Sequence, residues 1–184
     1  RKLSLCSLRS FVADPSVAAL PRWVLSRATE QPLAMTNPNK PNAATVLVAD
    51  DIAANRNLLR DTLEPHGYEV LLVDNGETAL KVAKRALPDV ILLDINMPGL
   101  DGLQTCRQLQ QHEATRHIAV LFISANEGTQ SLVEGFQAGG VDYVTKPFKA
   151  EEVLTRLEAH LKVNRLTRAL TQKLRTKGAM LGTI

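Results

Sequence analysis

Short apolar segments alternate with amphipathic segments from residue 45 to about residue 162. The apolar segments are rich in β-branched side chains, which is typical of strands that are buried on both faces of a parallel sheet. They are Val46–Ala49, Val70–Val73, Val90–Leu93, Ile118–Ile123 and Val141–Val144. Five strands that alternate with five helices predict an α/β domain with a doubly wound parallel sheet.

The segments between the strands place apolar residues at helical spacing. The first predicted helix ends near Pro65–Gly67, and the second lies between a capping pair, Asp74 and Glu77, and Pro88. The fourth is expected at Glu127–Ala138. The apolar residues that mark helices two to four are Ala79, Leu80, Ala83, Leu87, Leu103, Cys106, Leu109, Leu132, Val133 and Phe136.

The last helix opens near Ala150 and keeps an apolar period beyond the end of the predicted domain. Its leucines are separated by four, five, four and four residues, an imperfect heptad, and they are Leu157, Leu161, Leu166, Leu170 and Leu174. We interpret residues 163–184 as a helical extension. It either forms a homodimer, in which two copies pair through the helix at 150–175, or connects the domain to an output domain. A frayed basic tail is the alternative.

Charge divides the chain into three parts. Residues 1–44 carry a net charge of +4, residues 45–149 carry −5 and residues 150–184 carry +4, so the overall pI near 9.0 describes no single surface. The first part contains five prolines and lacks an initiating Met. We expect a poorly structured leader over residues 1–44, with translation starting at Met35 and residues 1–34 upstream or vector-derived. A transit peptide is the alternative reading.

Composition excludes several classes of protein. The chain is 45% hydrophobic and 22% charged, as expected of a globular domain. Its two cysteines, Cys6 and Cys106, cannot build a disulfide framework or a paired-cysteine zinc site, which favours a reducing compartment. The longest apolar run of the leader is too short to cross a bilayer, so no membrane association is expected.

Polar side chains follow four of the five predicted strands. Asp50 and Asp51 follow the first strand, Asp94 the third, Ser124 the fourth and Lys146 the fifth. The carboxyl ends of parallel strands share one edge, where ligands of such sheets bind. Three clustered carboxylates repel one another unless a cation compensates them, and Mg²⁺ suits carboxylate ligands. These residues therefore predict a magnesium site.

Four sequence elements resemble the receiver domain of two-component response regulators. They are Val46-Leu47-Val48-Ala49-Asp50-Asp51, Asp94-Ile95-Asn96-Met97-Pro98-Gly99-Leu100-Asp101-Gly102, Ser124-Ala125 and Tyr143-Val144-Thr145-Lys146-Pro147-Phe148. The resemblance covers about residues 45–162. It implies a flavodoxin-like five-stranded sheet in the order 2-1-3-4-5, and a cytoplasmic, Mg²⁺-dependent phosphoacceptor rather than an enzyme in its own right.

The resemblance also implies a role for each matching residue. Asp94 is expected to accept a phosphoryl group from a phosphohistidine, forming 4-aspartylphosphate. Asp51, Asp94 and the backbone carbonyl of Asn96 are expected to bind Mg²⁺, while Asp50 acts mainly through bound water. The expected partner is a sensor histidine kinase or a phosphotransfer protein.

Lys146 and Ser124 are expected to contact phosphoryl oxygens. The Lys146–Pro147 bond is expected to be cis, and Tyr143 is expected to turn inward when Ser124 moves. We further hypothesise that the fourth helix and the fifth strand form a face that responds to phosphate at Asp94.

Other readings of the same residues stay open at this point. Each polar residue alone could be a helix cap, a turn residue or a solvated side chain. A receiver-like interaction module without phosphorylation is one alternative function. A hydrolase with an aspartate nucleophile is another, although Asn96 stands where such sites usually have a second aspartate. DNA binding by the basic tail is the third; we do not expect it, because the high pI comes only from the two ends of the chain, and it predicts a steep salt dependence.

Overall fold

The structure is a computed structural model that describes residues 44–125 and 129–181. Five strands form one parallel sheet in the order β2-β1-β3-β4-β5. The strands are β1 (Thr45–Ala49), β2 (Glu69–Val73), β3 (Val90–Asp94), β4 (Ala119–Ser124) and β5 (Asp142–Thr145). The helices are α1 (Ala53–Leu63), α2 (Gly76–Ala86), α3 (Gly102–Gln111), α4 (Thr129–Gln137) and α5 (Ala150–Leu181). The predicted fold class and strand order are confirmed.

Alternate residues of each strand enter two separate cores, because successive side chains of a strand point to opposite faces. One core combines residues such as Leu47, Leu93 and Phe122 with side chains of α2 and α3. The other combines Val48 and Leu92 with side chains of α1 and α5, which are Leu59, Leu63, Val153, Leu157 and Leu161. The sheet is therefore covered on both faces, as its apolar strands require.

Helix α5 packs on the domain only over its first half. Val153 and Leu157 are fully buried, and Asn164 still donates a hydrogen bond to the backbone carbonyl of Asp89, at 3.2 Å. Beyond that point the apolar side chains are exposed, at 57% for Leu166 and 62% for Leu170. The extended helix is confirmed as helix as far as Leu181, and residues 182–184 of the predicted extension lie outside the described residues. Its second half has an apolar side that the domain does not cover.

The first half of α5 is also tied to the start of β5 by charge. Asp142 accepts hydrogen bonds from Arg156 at 2.8 Å, and it lies 3.0 Å from the Nε2 atom of His160. Arg156 is bound in turn to Glu152, one helical turn earlier. These contacts fix the face of α5 that meets the sheet.

Several local expectations need correction. Helix α2 is capped by Asn75, whose side chain accepts from the Thr78 backbone N–H, and not by Asp74. Leu87 follows α2 with a left-handed φ of 47° and is partly exposed, because the helix ends before Pro88. Two apolar residues of α4, Val133 and Phe136, are about half exposed rather than buried.

Some expectations fall partly or wholly outside the described residues. The predicted leader does so except for Ala44, and so does the expected start of the fourth helix at residues 127–128. Cys106 is fully buried in the core as expected, and burial raises the pKa of its thiol to about 12. Within the residues that the structure describes, none of the helices is both long and apolar enough to cross a membrane.

Candidate functional site

The carboxyl edge of the sheet brings three predicted acidic residues together. Asp50 follows β1 and Asp94 ends β3, and these strands are neighbours in parallel register. One carboxylate oxygen from each of Asp50, Asp51 and Asp94 lies within 4.8 Å of the other two. Asp50 and Asp94 are almost fully buried, whereas Asp51 is exposed. The group therefore has two inner carboxylates and one that faces solvent.

Lys146 pairs with both inner carboxylates and compensates part of their negative charge. Its ammonium Nζ donates to Asp50 Oδ2 and to Asp94 Oδ2, both at 2.8 Å, although the residues are far apart in sequence. Lys146 follows β5, which pairs with β4 at the edge of the sheet, and the Lys146–Pro147 peptide bond is cis as expected. One ammonium thus holds two buried negative charges, which lowers the cost of burying them.

The electrostatic balance of the site follows from burial and from this shared ammonium. Burial raises the pKa of Asp94 above its usual value, while the hydrogen bond from Lys146 opposes the increase. Burial lowers the pKa of Lys146, but the hydrogen bonds and charges of Asp50 and Asp94 outweigh it and raise that pKa overall. The site is therefore one in which added positive charge stabilises the ionised carboxylates.

The loop after Asp94 is held by a close backbone contact. The Gly102 N–H donates to the Ile95 carbonyl at 2.9 Å, and a Cβ at Gly102 would overlap the Asp94 carbonyl oxygen. Asn96 is exposed in this loop, and its backbone N–H donates to Asp94 Oδ1 at 3.3 Å. The motif from Asp94 to Gly102 thus folds back on itself and directs the Asp94 carboxylate.

Ser124 and Tyr143 lie on the neighbouring strands. Ser124 is buried at the end of β4, and its backbone carbonyl accepts from the Lys146 N–H at 2.8 Å. Tyr143 pairs with Phe122 in register and is 6% exposed. Because Phe122 and Ser124 are two residues apart, the Ser124 and Tyr143 side chains share one face of the sheet.

Two residues at the site were missed from the sequence. The Asn55 side-chain amide donates to both carboxylate oxygens of Asp50, at 3.1 Å and 3.0 Å. The Arg56 guanidinium donates to the backbone carbonyls of Asp50 and Asp51, at 2.6 Å and 2.9 Å. Both residues belong to the first turn of α1. Their position about one helical turn after Asp50 and Asp51 could have identified them from the sequence.

The donor set fits a hard divalent cation. Carboxylate and backbone carbonyl oxygens are the ligands that Mg²⁺ takes, usually from one or two carboxylates with several waters retained. Asp51 and Asp94 supply such oxygens beside a solvent-facing position, and the Asn96 carbonyl lies in the adjacent loop. The expected magnesium ligands are thus compatible with the chemistry of the cation.

Comparison with known proteins agrees with this geometry. Response regulator PleD of Caulobacter vibrioides is 43% identical over 117 residues, which are 64% of this chain and 26% of PleD. Transcriptional regulatory protein ResD of Bacillus subtilis is 40% identical over 121 residues, which are 66% of this chain and 49% of ResD. The chain therefore spans about a quarter to a half of the length of these relatives.

Solved structures show the same fold. Chemotaxis protein CheY4 of Vibrio cholerae matches 64% of this chain and 98% of its own, with a TM-score of 0.62 and 30% identity. The receiver domain of sensor histidine kinase PA1611 from Pseudomonas aeruginosa, solved with a magnesium ion in its active site cleft, matches 66% of this chain and 99% of its own, with a TM-score of 0.62 and 30% identity.

The family model for the response regulator receiver domain matches residues 46–158. This range holds the five strands apart from Thr45 at the start of β1, and it holds the three clustered carboxylates and Lys146. The chain thus belongs to the response regulator receiver domain family of two-component signal transduction.

Proposed function

We propose that this receiver accepts a phosphoryl group on Asp94 in a Mg²⁺-dependent reaction. The observation that carries the proposal is the cluster of Asp50, Asp51 and Asp94 at one strand edge, with the Lys146 ammonium 2.8 Å from two of its carboxylates. In phosphoryl transfer a protein mainly supplies positioning and charge compensation, and these residues supply both. Residues 45–162 are proposed as the unit that performs the reaction.

The chemistry is a displacement at phosphorus. A carboxylate oxygen of Asp94 forms the new P–O bond while the P–N bond of a phosphohistidine breaks, and the imidazole nitrogen leaves and takes up a proton from solvent. The donor is proposed to be a sensor histidine kinase or a phosphotransfer protein. Hydrolysis of the acyl phosphate by water returns the Asp94 carboxylate and inorganic phosphate.

Each neighbouring residue has a proposed part in this reaction. Asp51, Asp94 and the Asn96 backbone carbonyl would hold Mg²⁺, with Asp50 acting through water, and the bound ion supplies positive charge to the phosphoryl oxygens. Lys146 pairs with a phosphoryl oxygen, and the Ser124 hydroxyl donates to another. These roles place positive charge and donors where negative charge is added.

The switch is proposed to involve Ser124, Tyr143 and the face formed by α4 and β5. Tyr143 lies on the same sheet face as Ser124, and α4 exposes apolar side chains at Val133 and Phe136. A Ser124 hydroxyl drawn toward a phosphoryl group leaves its strand-end position, and Tyr143 then packs against the space. Exchange of backbone amides in α4 and β5 is expected to change on phosphorylation.

Acetyl phosphate with MgCl₂ tests the central step. Intact-mass measurement is expected to show the mass of one added phosphoryl group on the wild-type chain and none on Asp94→Asn. Asp61→Asn, which removes an exposed carboxylate of α1, is the matched control and should behave as wild type. Modification of Asp94→Asn, or of no protein at all, would contradict the proposal and favour the interaction module.

We also propose that the second half of α5 pairs two copies of the chain. Val163, Leu166, Leu170 and Leu174 are 57–68% exposed and follow one another at spacings of three, four and four residues. This spacing places them on one side of the helix, as in helices that pair along an apolar seam. Sedimentation equilibrium of the full chain tests for the dimer.

A further inference from the structure

The carboxylate of Asp50 is surrounded by hydrogen-bond donors. Its Oδ1 atom accepts from the Ile52 backbone N–H at 2.8 Å and from Asn55 at 3.1 Å. Its Oδ2 atom accepts from Asn55 at 3.0 Å and from Lys146 at 2.8 Å. Asp50 is 1% exposed, so these donors replace the water that an ionised carboxylate needs.

The backbone beside Asp50 is fixed independently of its side chain. Arg56 holds the carbonyls of Asp50 and Asp51, and the Asp50 N–H donates to the Val73 carbonyl of β2 at 3.3 Å. The orientation of the Asp50 carboxylate then depends on the donors around its two oxygens. The Asn55 amide contacts both oxygens of that carboxylate, whereas the other two donors each contact one, so Asn55 helps to set the plane in which the carboxylate lies.

Asn55 and Lys146 differ in what they do when a phosphoryl group arrives. Lys146 is shared between Asp50 and Asp94. In the proposed reaction its ammonium moves toward an oxygen of the phosphoryl group. Asn55 has no part in that reaction and keeps its contact with Asp50. An amide also donates without adding charge, so it orients the carboxylate without opposing the approach of a cation.

We propose that Asn55 is a positioning residue that holds the Asp50 carboxylate in the orientation in which the acidic pair receives Mg²⁺. The inference rests on the proposed function, because it concerns the same cation. Groups that orient metal-binding side chains typically change metal affinity by about 10- to 100-fold when they are removed. A purely structural role for Asn55 would change folding stability and leave the affinity for Mg²⁺ unaltered.

Calorimetric titration of the full chain with MgCl₂, without a phosphodonor, tests the inference. Asn55→Ala and the similarly sized Asn55→Leu are expected to weaken Mg²⁺ binding at least about tenfold. Asn55→Gln keeps the amide on a longer arm and is expected to recover part of that loss. Asn57→Ala, an exposed asparagine on the same helix, is the matched control and should bind as wild type.

The outcomes separate this inference from the function on which it rests. Wild-type affinity in Asn55→Ala and Asn55→Leu overturns the positioning role, as does an equal loss in Asn57→Ala or a Gln variant no better than Ala. If Asn55→Ala fails to fold, the affinity of Asn55→Leu for Mg²⁺ relative to the wild-type chain decides whether Asn55 has the positioning role. A wild-type chain that binds no Mg²⁺ overturns the proposed function itself, and the inference with it.

Discussion

The carboxyl edge of the sheet and the second half of α5 each place side chains in an environment that is unfavourable for them. At the edge, Asp50 and Asp94 are buried charges, at 1% and 3% exposure. On the helix, Leu166 and Leu170 are apolar and about 60% exposed. The first arrangement is compensated within the chain by Lys146, whereas the described residues contain nothing that covers the second.

The two regions favour different kinds of added contact. Three clustered carboxylates, of which two are paired with one ammonium, leave a negative site, and such a site favours an added cation. An apolar stripe on one side of a helix favours packing against an apolar surface of another molecule. The proposed cation site thus depends on charge and the proposed dimer on burial of apolar area, and we expect the two to respond in opposite ways to salt.

Removal of the Lys146 ammonium from the carboxyl edge of the sheet should lower the free energy of unfolding more than any other change described below. Lys146→Met leaves two buried carboxylates without their ammonium, and breaking a buried ion pair in this way costs about 3–5 kcal/mol. Urea unfolding in EDTA measures the loss, and MgCl₂ should restore part of it. Lys149→Met, an exposed lysine nearby, is the control. A loss under about 1 kcal/mol would show that the carboxylates are compensated by other groups.

The two halves of α5 should differ clearly in stability measurements. Leu157→Ala empties a fully buried position, and such changes cost about 2–5 kcal/mol, whereas Leu170→Ala on the exposed half should cost at most about 0.5 kcal/mol. Urea unfolding at low protein concentration makes the comparison. Equal losses would mean that the second half of α5 is covered by the chain's own domain.

Salt should change the affinity of self-association modestly, and the direction of the change distinguishes an apolar dimer from DNA binding. Residues 162–177, both ends included, contain six basic residues and no acidic ones, so two paired helices would repel each other. NaCl screens that repulsion and should strengthen the dimer severalfold, whereas binding of the same segment to DNA weakens with salt. Sedimentation at several salt concentrations gives the sign, and Leu166→Ser with Leu170→Ser should remove the dimer. Association that salt weakens would contradict an apolar interface.

Much of the fold could be predicted because buried parallel strands leave a clear apolar pattern. The five strands begin and end within one residue of their predicted limits, and the polar groups lie at their ends as expected. Prediction failed where a single residue decides a local structure. Asn75 rather than Asp74 caps α2, and Asn55 gave no periodic signal because its role depends on a contact with Asp50.

The irregular spacing on α5 shows a limit of pattern reading. The five-residue step from Leu161 to Leu166 turns the apolar side by about 140° beyond one full turn, since each helical residue adds about 100°. In the sequence alone, this step is only an irregularity in an imperfect heptad. In the structure Leu161 is 5% exposed and Leu166 is 57% exposed, so this step is where the helix changes from covering the sheet to facing outward.

Local pattern was enough to predict the parallel α/β fold, its strand limits and the acidic, hydroxyl and ammonium groups at one sheet edge, because periodicity and strand ends are local properties of a chain. Three features came from the folded chain instead: Lys146 joins Asp50 to Asp94, Asn55 contacts both oxygens of Asp50, and α5 has two apolar sides with different exposure. These depend on distances between segments far apart in sequence. Packing sets those distances, and no local pattern encodes them.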